Sequence, residues 1–317
     1  MQFNITFRTF YLSILTPVLC QRAQRSARAT ITNAKIGARA PDGSEILDRQ
    51  YTTNGLTLRY KISAPTSAIL SGATSNDTAK MGLNVLLHGD GGASFEDFPN
   101  KIVQGNLMGV VVLAPNDALL WGGQSTRDVQ RPDGVAHSAA VDKLIREELS
   151  RVVAYDPADV WFSGVSGGAM MLSGFFLPQY LSTYKTGAML MCGGMAPPEN
   201  RAGFSNTLDA ETMSRARIHW ESSQQELAQL KTTIPAGIRF YEDQARQTGL
   251  SDAQIGALQT ADATPTAGHC AFDNKGFNSG ISLVSASWSR VVQGGDGMIA
   301  GIGQVDKSVV GRENLFR

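Results

Sequence analysis

The chain has 317 residues, 42% of them hydrophobic, and its 28 Lys and Arg balance 28 Asp and Glu to a formal net charge of zero. That length and charge density suit one sizeable buried core and exclude a disordered or fibrous chain. A neutral chain without a basic run downstream of its amino terminus also lacks the electrostatic footprint of a nucleic-acid-binding protein.

In chain order, Met1 to Arg8 carries a positive charge and no acid, Phe10 to Cys20 is apolar, and polar residues follow. This pattern predicts a secretory signal peptide over residues 1–20, cleaved after Cys20 or as late as Ala29, with a membrane anchor as the alternative. Cleavage after Cys20 removes Arg8 and leaves net −1; cleavage after Ala29 also removes Arg22, Arg25 and Arg28 and leaves −4. The remainder, 30–317, reads as a single domain with no membrane segment, because no linker divides it. Residues 29–37 and 56–65 alternate and predict two antiparallel strands. Asn76-Asp77-Thr78 is a sequon in a Ser/Thr/Gly-rich loop, so glycosylation is expected at Asn76.

Apolar runs at 83–87, 109–114, 159–163 and 187–192 predict interior strands. A helix with the apolar face Val141, Leu144, Ile145 and Leu149 and another opening at Ala169 fall between them. Residues 225–249 place Leu227, Leu230, Ile234, Ile238 and Tyr241 at helical spacing, with Pro235 as a possible break. Ile281, Leu283, Val284, Trp288 and Val291 predict a last helix. This alternation predicts an α/β fold with a mostly parallel central sheet and helices on both faces.

Three segments carry chemistry. Gly164-Val165-Ser166-Gly167-Gly168 joins a predicted strand to a predicted helix, the setting of a nucleophile elbow, although the motif alone also fits a glycine-rich turn. His88-Gly89-Asp90-Gly91-Gly92 ends the run Leu83 to Leu87. Its glycines let the backbone offer N–H groups to a substrate oxygen, and the expected oxyanion donors are the N–H groups of Asp90 and Gly167. The Asp90 side chain has no evident catalytic part, and His88 is expected to order its own loop with Gly89, Gly91 and Gly92. His269, in Ala267-Gly268-His269-Cys270-Ala271-Phe272-Asp273, follows Ser166 by 103 residues and fits the order Ser, acid, His. His137 reads as a helix histidine and His219 as a strand histidine, the latter leaving too little chain for an intervening acid. Trp121 and the Met170/Met171 pair are candidates for an acyl or aromatic pocket, although the methionines read first as core residues.

Without Cys20, two cysteines remain, and an oxidising compartment favours a Cys192–Cys270 disulfide over free thiols. Such a bridge pins the His269 loop to the end of a strand and closes a loop of 78 residues.

These blocks, with Ala114-Pro115-Asn116-Asp117, Trp121 and Cys192-Gly193-Gly194, resemble those of secreted fungal α/β-hydrolases related to polyhydroxybutyrate-depolymerase-like and feruloyl or acetylxylan esterases. Some members of that group carry the label cyclin-like F-box protein, which nothing in these residues supports. The resemblance spans about residues 55–295. It implies an α/β-hydrolase fold and a Ser–His–acid triad with neither metal nor organic cofactor. It carries over to Ser166 and His269.

The acid is open. Related hydrolases place an Asp after the seventh strand, whereas Arg217 to Trp220 is followed here by Glu221-Ser222-Ser223-Gln224-Gln225-Glu226. Glu226 is the first candidate and Glu221 the second, ahead of Asp262 and Glu199; a missing acid is a further alternative. The function expected is a secreted serine esterase that forms an acyl-enzyme on Ser166 and acts on an extracellular ester, such as a cell-wall feruloyl or acetyl ester or a polyester. A non-catalytic binding fold and a serine peptidase are the alternatives. Oligomeric state is left open by the sequence.

Overall fold

The computed structural model describes residues 38–70, 81–95, 102–123, 130–199, 208–263 and 265–272, with residues 298, 299, 303, 304 and 316. The signal-peptide segment 1–20, the strand expected at 29–37, Asn76 and the last helix expected over Ile281 to Val291 lie outside the described residues.

A nine-stranded sheet forms the body. Strands β1 (Glu45–Thr53) and β2 (Leu56–Ala64) make an antiparallel hairpin, with Glu45 opposite Ala64 and Thr53 opposite Leu56. The hairpin turns on Asn54-Gly55, both at positive φ, +51° and +77°. Asn-Gly adopts that backbone at low cost, and its twist matches the flanking strands. The sequence reading missed β1 because its half-exposed residues, EILDRQYTT, alternate poorly.

Beyond the hairpin come β3 (Gly82–Leu87), the two-residue β4 (Val103–Gln104), β5 (Leu107–Leu113), β6 (Val160–Val165), β7 (Gly187–Met191), β8 (Arg217–Glu221) and β9 (Gln259–Asp262). The strand order is β1-β2-β5-β3-β6-β7-β8-β9, with β4 paired to β5. From β5 to β9 every neighbouring pair on this path is parallel. Every residue of β3, β5 and β7 is buried. Continuous apolar strands of this kind belong to the interior of a parallel sheet. With its helices, this is an α/β-hydrolase fold.

Three long helical segments cover one face. The first, α1 (Gly134–Lys143), runs on through a wider turn at Leu144–Leu149 and through Ser150–Val152. The second, α2, begins at Gly167–Met171 and continues through Leu172–Phe176 and Leu177–Tyr184. It stops where Lys185 turns left-handed (φ +56°). The short α3 (Ala210–Met213) precedes β8, and α4 (Leu230–Gln247) and α5 (Asp252–Leu258) precede β9. Val141, Leu144, Met171, Phe175, Ile234 and Ile238 from these helices pack with Leu83, Val85, Leu87, Val110, Val112 and Phe162 of the sheet. The opposite face gathers Leu86, Val111, Val165, Met189, Met191, Cys192, Cys270 and Phe272.

Helix α4 runs unbroken through Pro235, the sixth residue of the helix, which has no N–H to give the Lys231 carbonyl. Buried Ile234, Ile238 and Tyr241 hold that helix to the core. Leu227, expected on its apolar face, lies ahead of the helix and is 44% exposed.

Strand order reverses at β3. The chain goes from β3 to β5 on one side, then crosses to β6 on the other. In open α/β sheets the crevice outside the carboxyl ends of the strands at such a switch is where ligands bind. The segments that end β3 and β6 are His88–Gly92 and Ser166–Gly168.

Helix α2 starts hard against the end of β3. A Cβ at Gly168 would meet the Leu87 and His88 carbonyl oxygens, which are backbone atoms and cannot swing aside. Gly168→Ala is therefore expected to lower stability by about 1–3 kcal/mol, the usual range for overpacking. An unchanged midpoint in urea unfolding would contradict this packing.

Candidate active site

Ser166 occupies the turn between β6 and α2 with φ +50° and ψ −113°, an uncommon conformation for a residue with a Cβ. Its N–H donates to the Met191 carbonyl at 2.8 Å, tying the turn to the end of β7. A Cβ at Gly164 would fall 2.6 Å from Ala169 Cα, so the strand and helix approach closely only because residue 164 is glycine. The turn projects Ser166 into a cavity of about 280 Å³ lined also by Gly89, Asp90, Arg131, Met170, Leu227 and His269.

His269 lies within reach of both neighbours the chemistry needs. Its Nε2 is 3.0 Å from Ser166 Oγ, and its Nδ1 is 2.5 Å from Glu226 Oε1. With the Nδ1 proton donated to Glu226, Nε2 is free to accept from the Ser166 hydroxyl. The Glu226 side chain is fully buried and that of His269 is 24% exposed. The carboxylate also accepts from Ser222 Oγ (3.2 Å) and from the Leu227 N–H (2.8 Å). Three donors thus satisfy one buried carboxylate.

Glu226 reaches His269 because the segment after β8 turns back toward the His269 loop. The Gln224 N–H donates to the Pro265 carbonyl at 2.7 Å, Ser223 Oγ to the Gly268 carbonyl at 2.9 Å, and Gln225 bridges to Gly268. The other acids lie elsewhere. Glu221 ends β8 and meets His219, whose Nε2 is 3.1 Å from Glu221 Oε2, so the second candidate serves a strand histidine instead of His269. Asp262 ends β9 opposite Glu221, and its carbonyl accepts from the Ser222 N–H. Glu199 is exposed in the segment after β7.

Cys192 and Cys270 are joined in a disulfide, Cα to Cα 5.1 Å, across a sequence separation of 78. The bridge fastens the residue after His269 to the end of β7, whose Met191 carbonyl holds the Ser166 N–H. Loop-closure entropy for a bridge of this span is about 4 kcal/mol. Among the described residues, Cys192, His269 and Cys270 are the one group of side chains close enough to gather a metal ion. The disulfide leaves neither sulfur as a thiolate ligand.

The remaining histidines have structural partners. His88 is fully buried, its Nδ1 donating to the Gly89 carbonyl (2.6 Å) and its Nε2 accepting from the Ala114 N–H (2.9 Å). It thus locks the loop after β3 to the end of β5. Burial pulls its pKa down to about 4, against the Gly89 carbonyl and Asp90, which favour the charged form. His137 accepts from the Gly122 N–H at 2.9 Å. His219 is pulled down to about 3 by burial.

The N–H groups expected to receive an oxyanion stand at two helix starts. Gly167 is the first residue of α2, and Asp90 is the first residue of a short 3₁₀ turn, Asp90–Gly92. First-turn N–H groups have no intrahelical acceptor and face outward. Gly91 anchors the loop by donating to the Leu119 carbonyl at 3.0 Å.

The pocket residues differ in part from the sequence reading. Trp121 is fully buried against His88 and His137 and does not line the cavity. Met170 lines the cavity, and Met171 belongs to the core. Arg131 was not anticipated. Its guanidinium makes a two-point ion pair with Asp90, Nη1 to Oδ1 at 3.1 Å and Nη2 to Oδ2 at 2.8 Å. No local pattern marks an arginine whose partner is 41 residues away.

No family model matches the chain, and no curated protein matches it by sequence. Solved structures are similar to it in fold. They include a thermostable esterase (14% identity, TM-score 0.47, covering 78% of this chain and 60% of that one). Another is an acetyl xylan esterase from Aspergillus awamori (12%, 0.45, 70% and 93%). A third is a ferulic acid esterase (16%, 0.46, 78% and 98%). The chain thus spans 60% of the length of the thermostable esterase.

The buried histidines make stability depend on pH. Each is neutral in the folded chain down to about 4 for His88 and about 3 for His219, whereas an unfolded histidine takes up a proton near pH 6.5. Between these limits the unfolded chain binds more protons, so stability is full above pH 6.5 and falls as pH drops toward 4. The expected loss is on the order of 2–3 kcal/mol per histidine. Urea midpoints at pH 7 and pH 4.5 test it, and equal midpoints would contradict it.

Proposed function

We propose that this protein is a serine hydrolase of carboxylic esters that works through an acyl-enzyme on Ser166. The observation that carries the reading is the continuous chain from buried Glu226 through His269 to Ser166 Oγ. In this mechanism His269 Nε2 takes the hydroxyl proton as Ser166 Oγ attacks the ester carbonyl. The developing oxyanion rests on the N–H groups of Asp90 and Gly167. His269 then returns the proton to the leaving alcohol, and the acyl group stays on Ser166. Water, deprotonated by the same nitrogen, releases the acid and restores the serine. Glu226 holds the imidazole tautomer and offsets the charge of the transient imidazolium.

The missing Asp after β8 loses its force as an argument for an inactive fold, because Glu226 supplies the carboxylate. The substrate belongs to the same proposal. The signal-peptide pattern at the amino terminus and the disulfide both support an oxidising, extracellular setting. The ester is then one met outside the cell, such as a feruloyl or acetyl ester of plant cell wall or a polyester.

Intact-mass labelling of the secreted protein with a fluorophosphonate probe tests the reading. One probe per chain is expected in the wild type and none in Ser166→Ala. His269→Ala and Glu226→Gln should label more slowly by about 10³- to 10⁴-fold. A folded wild-type protein that takes up no probe would overturn the proposal.

A further inference from the structure

The cavity beside Ser166 contains one charged pair that the proposed acyl transfer does not use. Arg131 is almost wholly enclosed, with its side chain 1% exposed, while that of Asp90 is 30% exposed. Both terminal nitrogens are engaged: besides the two bonds to Asp90, Nη1 donates to the Trp121 carbonyl at 2.5 Å and Nη2 lies 3.5 Å from Met170 Sδ. Its Nε is buried without a partner among the described residues. Both residues line the cavity, but the carboxylate is the exposed partner, and the terminal nitrogens of Arg131 are already engaged.

Each carboxylate oxygen can accept two hydrogen bonds, and among the described residues Arg131 uses one on each. The spare acceptor capacity sits close to the chemistry. The Asp90 carboxylate lies against Gly167, where an added Cβ would overlap Oδ1, and Asp90 and Ser166 line the same cavity. Arg131 behind it cancels its charge, so the pair presents a neutral acceptor. A hydroxyl suits that environment, a second carboxylate is repelled at short range, and an ammonium gains little from a pair already neutral.

Resting on the esterase reading above, we propose that the Asp90–Arg131 pair is a specificity site selecting esters that carry a hydroxyl a few bonds from the scissile carbonyl. A substrate hydroxyl donates to Asp90 while the carbonyl oxygen approaches the Asp90 and Gly167 N–H groups. One residue thus contacts the ester twice, through its backbone and through its side chain.

Matched esters of nearly equal shape test this. On the acyl side, ethyl hydroxyacetate is compared with ethyl propanoate. On the alcohol side, hydroxyethyl butanoate is compared with propyl butanoate. The charged probe is the monoethyl ester of succinic acid against ethyl pentanoate. The kcat/KM ratio within each pair is measured for wild type and for Asp90→Leu/Arg131→Met. Both partners are replaced together because removing one leaves a buried charge unpaired. Taking ratios within each protein cancels any general loss of rate, and comparing proteins cancels the intrinsic reactivity of each ester.

The expected result is a hydroxyl preference larger in wild type by about tenfold or more on one side of the ester. The arm that responds tells which side. The same substitution should raise relative activity on the succinate ester. Equal ratios in both proteins on both arms, with Ser166 still taking up fluorophosphonate, would overturn the subsite and leave the esterase standing. A wild type that neither labels nor hydrolyses any of the esters would overturn both.

Discussion

The reversal of strand order about β3 is the constraint on which the rest of the site depends. Because β5 and β6 flank β3 on opposite sides, the segments leaving β3 and β6 open onto one crevice at the carboxyl edge of the sheet. One segment carries the N–H groups of the His88–Gly92 loop, and the other carries Ser166. Their closeness demands small residues, since the start of α2 lies against the Leu87 and His88 carbonyls and has no room for a Cβ at Gly168. The left-handed backbone at Ser166 follows from the same crowding and is held by the bond from its N–H to β7. Local strain here is balanced by a sheet in which β3, β5 and β7 are buried throughout.

Charge near the site is paired wherever it is buried. Glu226 has three donors, Arg131 is matched by Asp90, and His88 and His219 stay neutral because burial disfavours their protonated forms. A neutral His88 can use both ring nitrogens to tie two loops, donating through one and accepting through the other. A protonated ring would lose the bond from Ala114. The two segments that meet Ser166 are thus held by hydrogen bonds and, on the far side, by the Cys192–Cys270 bridge. Such fixed hydrogen-bonded loops suit the electrostatic preorganisation that the proposed acyl transfer requires.

Much of this was legible in the sequence, for identifiable reasons. Interior strands of a parallel sheet are continuous apolar runs, so Leu83 to Leu87 and Gly187 to Met191 announce themselves. β1 was missed, because its own residues are half exposed and mixed in character, although an Asn-Gly turn joins it to β2. The turn that separates Glu226 from Glu221 is harder to read, because it is set by contacts to Gly268 and Pro265, some forty residues on. The two glutamates stand five residues apart, and only the return of the chain after β8 tells which one meets His269. Arg131 carried no signal at all, since a long-range ion pair leaves no periodicity. Trp121 was a candidate pocket residue, but its neighbours His88 and His137 enclose it.

Trapping the covalent intermediate tests the central claim most directly. The purified protein is mixed with 4-nitrophenyl acetate, quenched in acid within the first turnovers, digested and mapped by mass. An acetyl group on the peptide containing Ser166, absent after full turnover, is the predicted result. No acyl group on that peptide while ester is being hydrolysed, or an acyl group on another residue, would contradict the account.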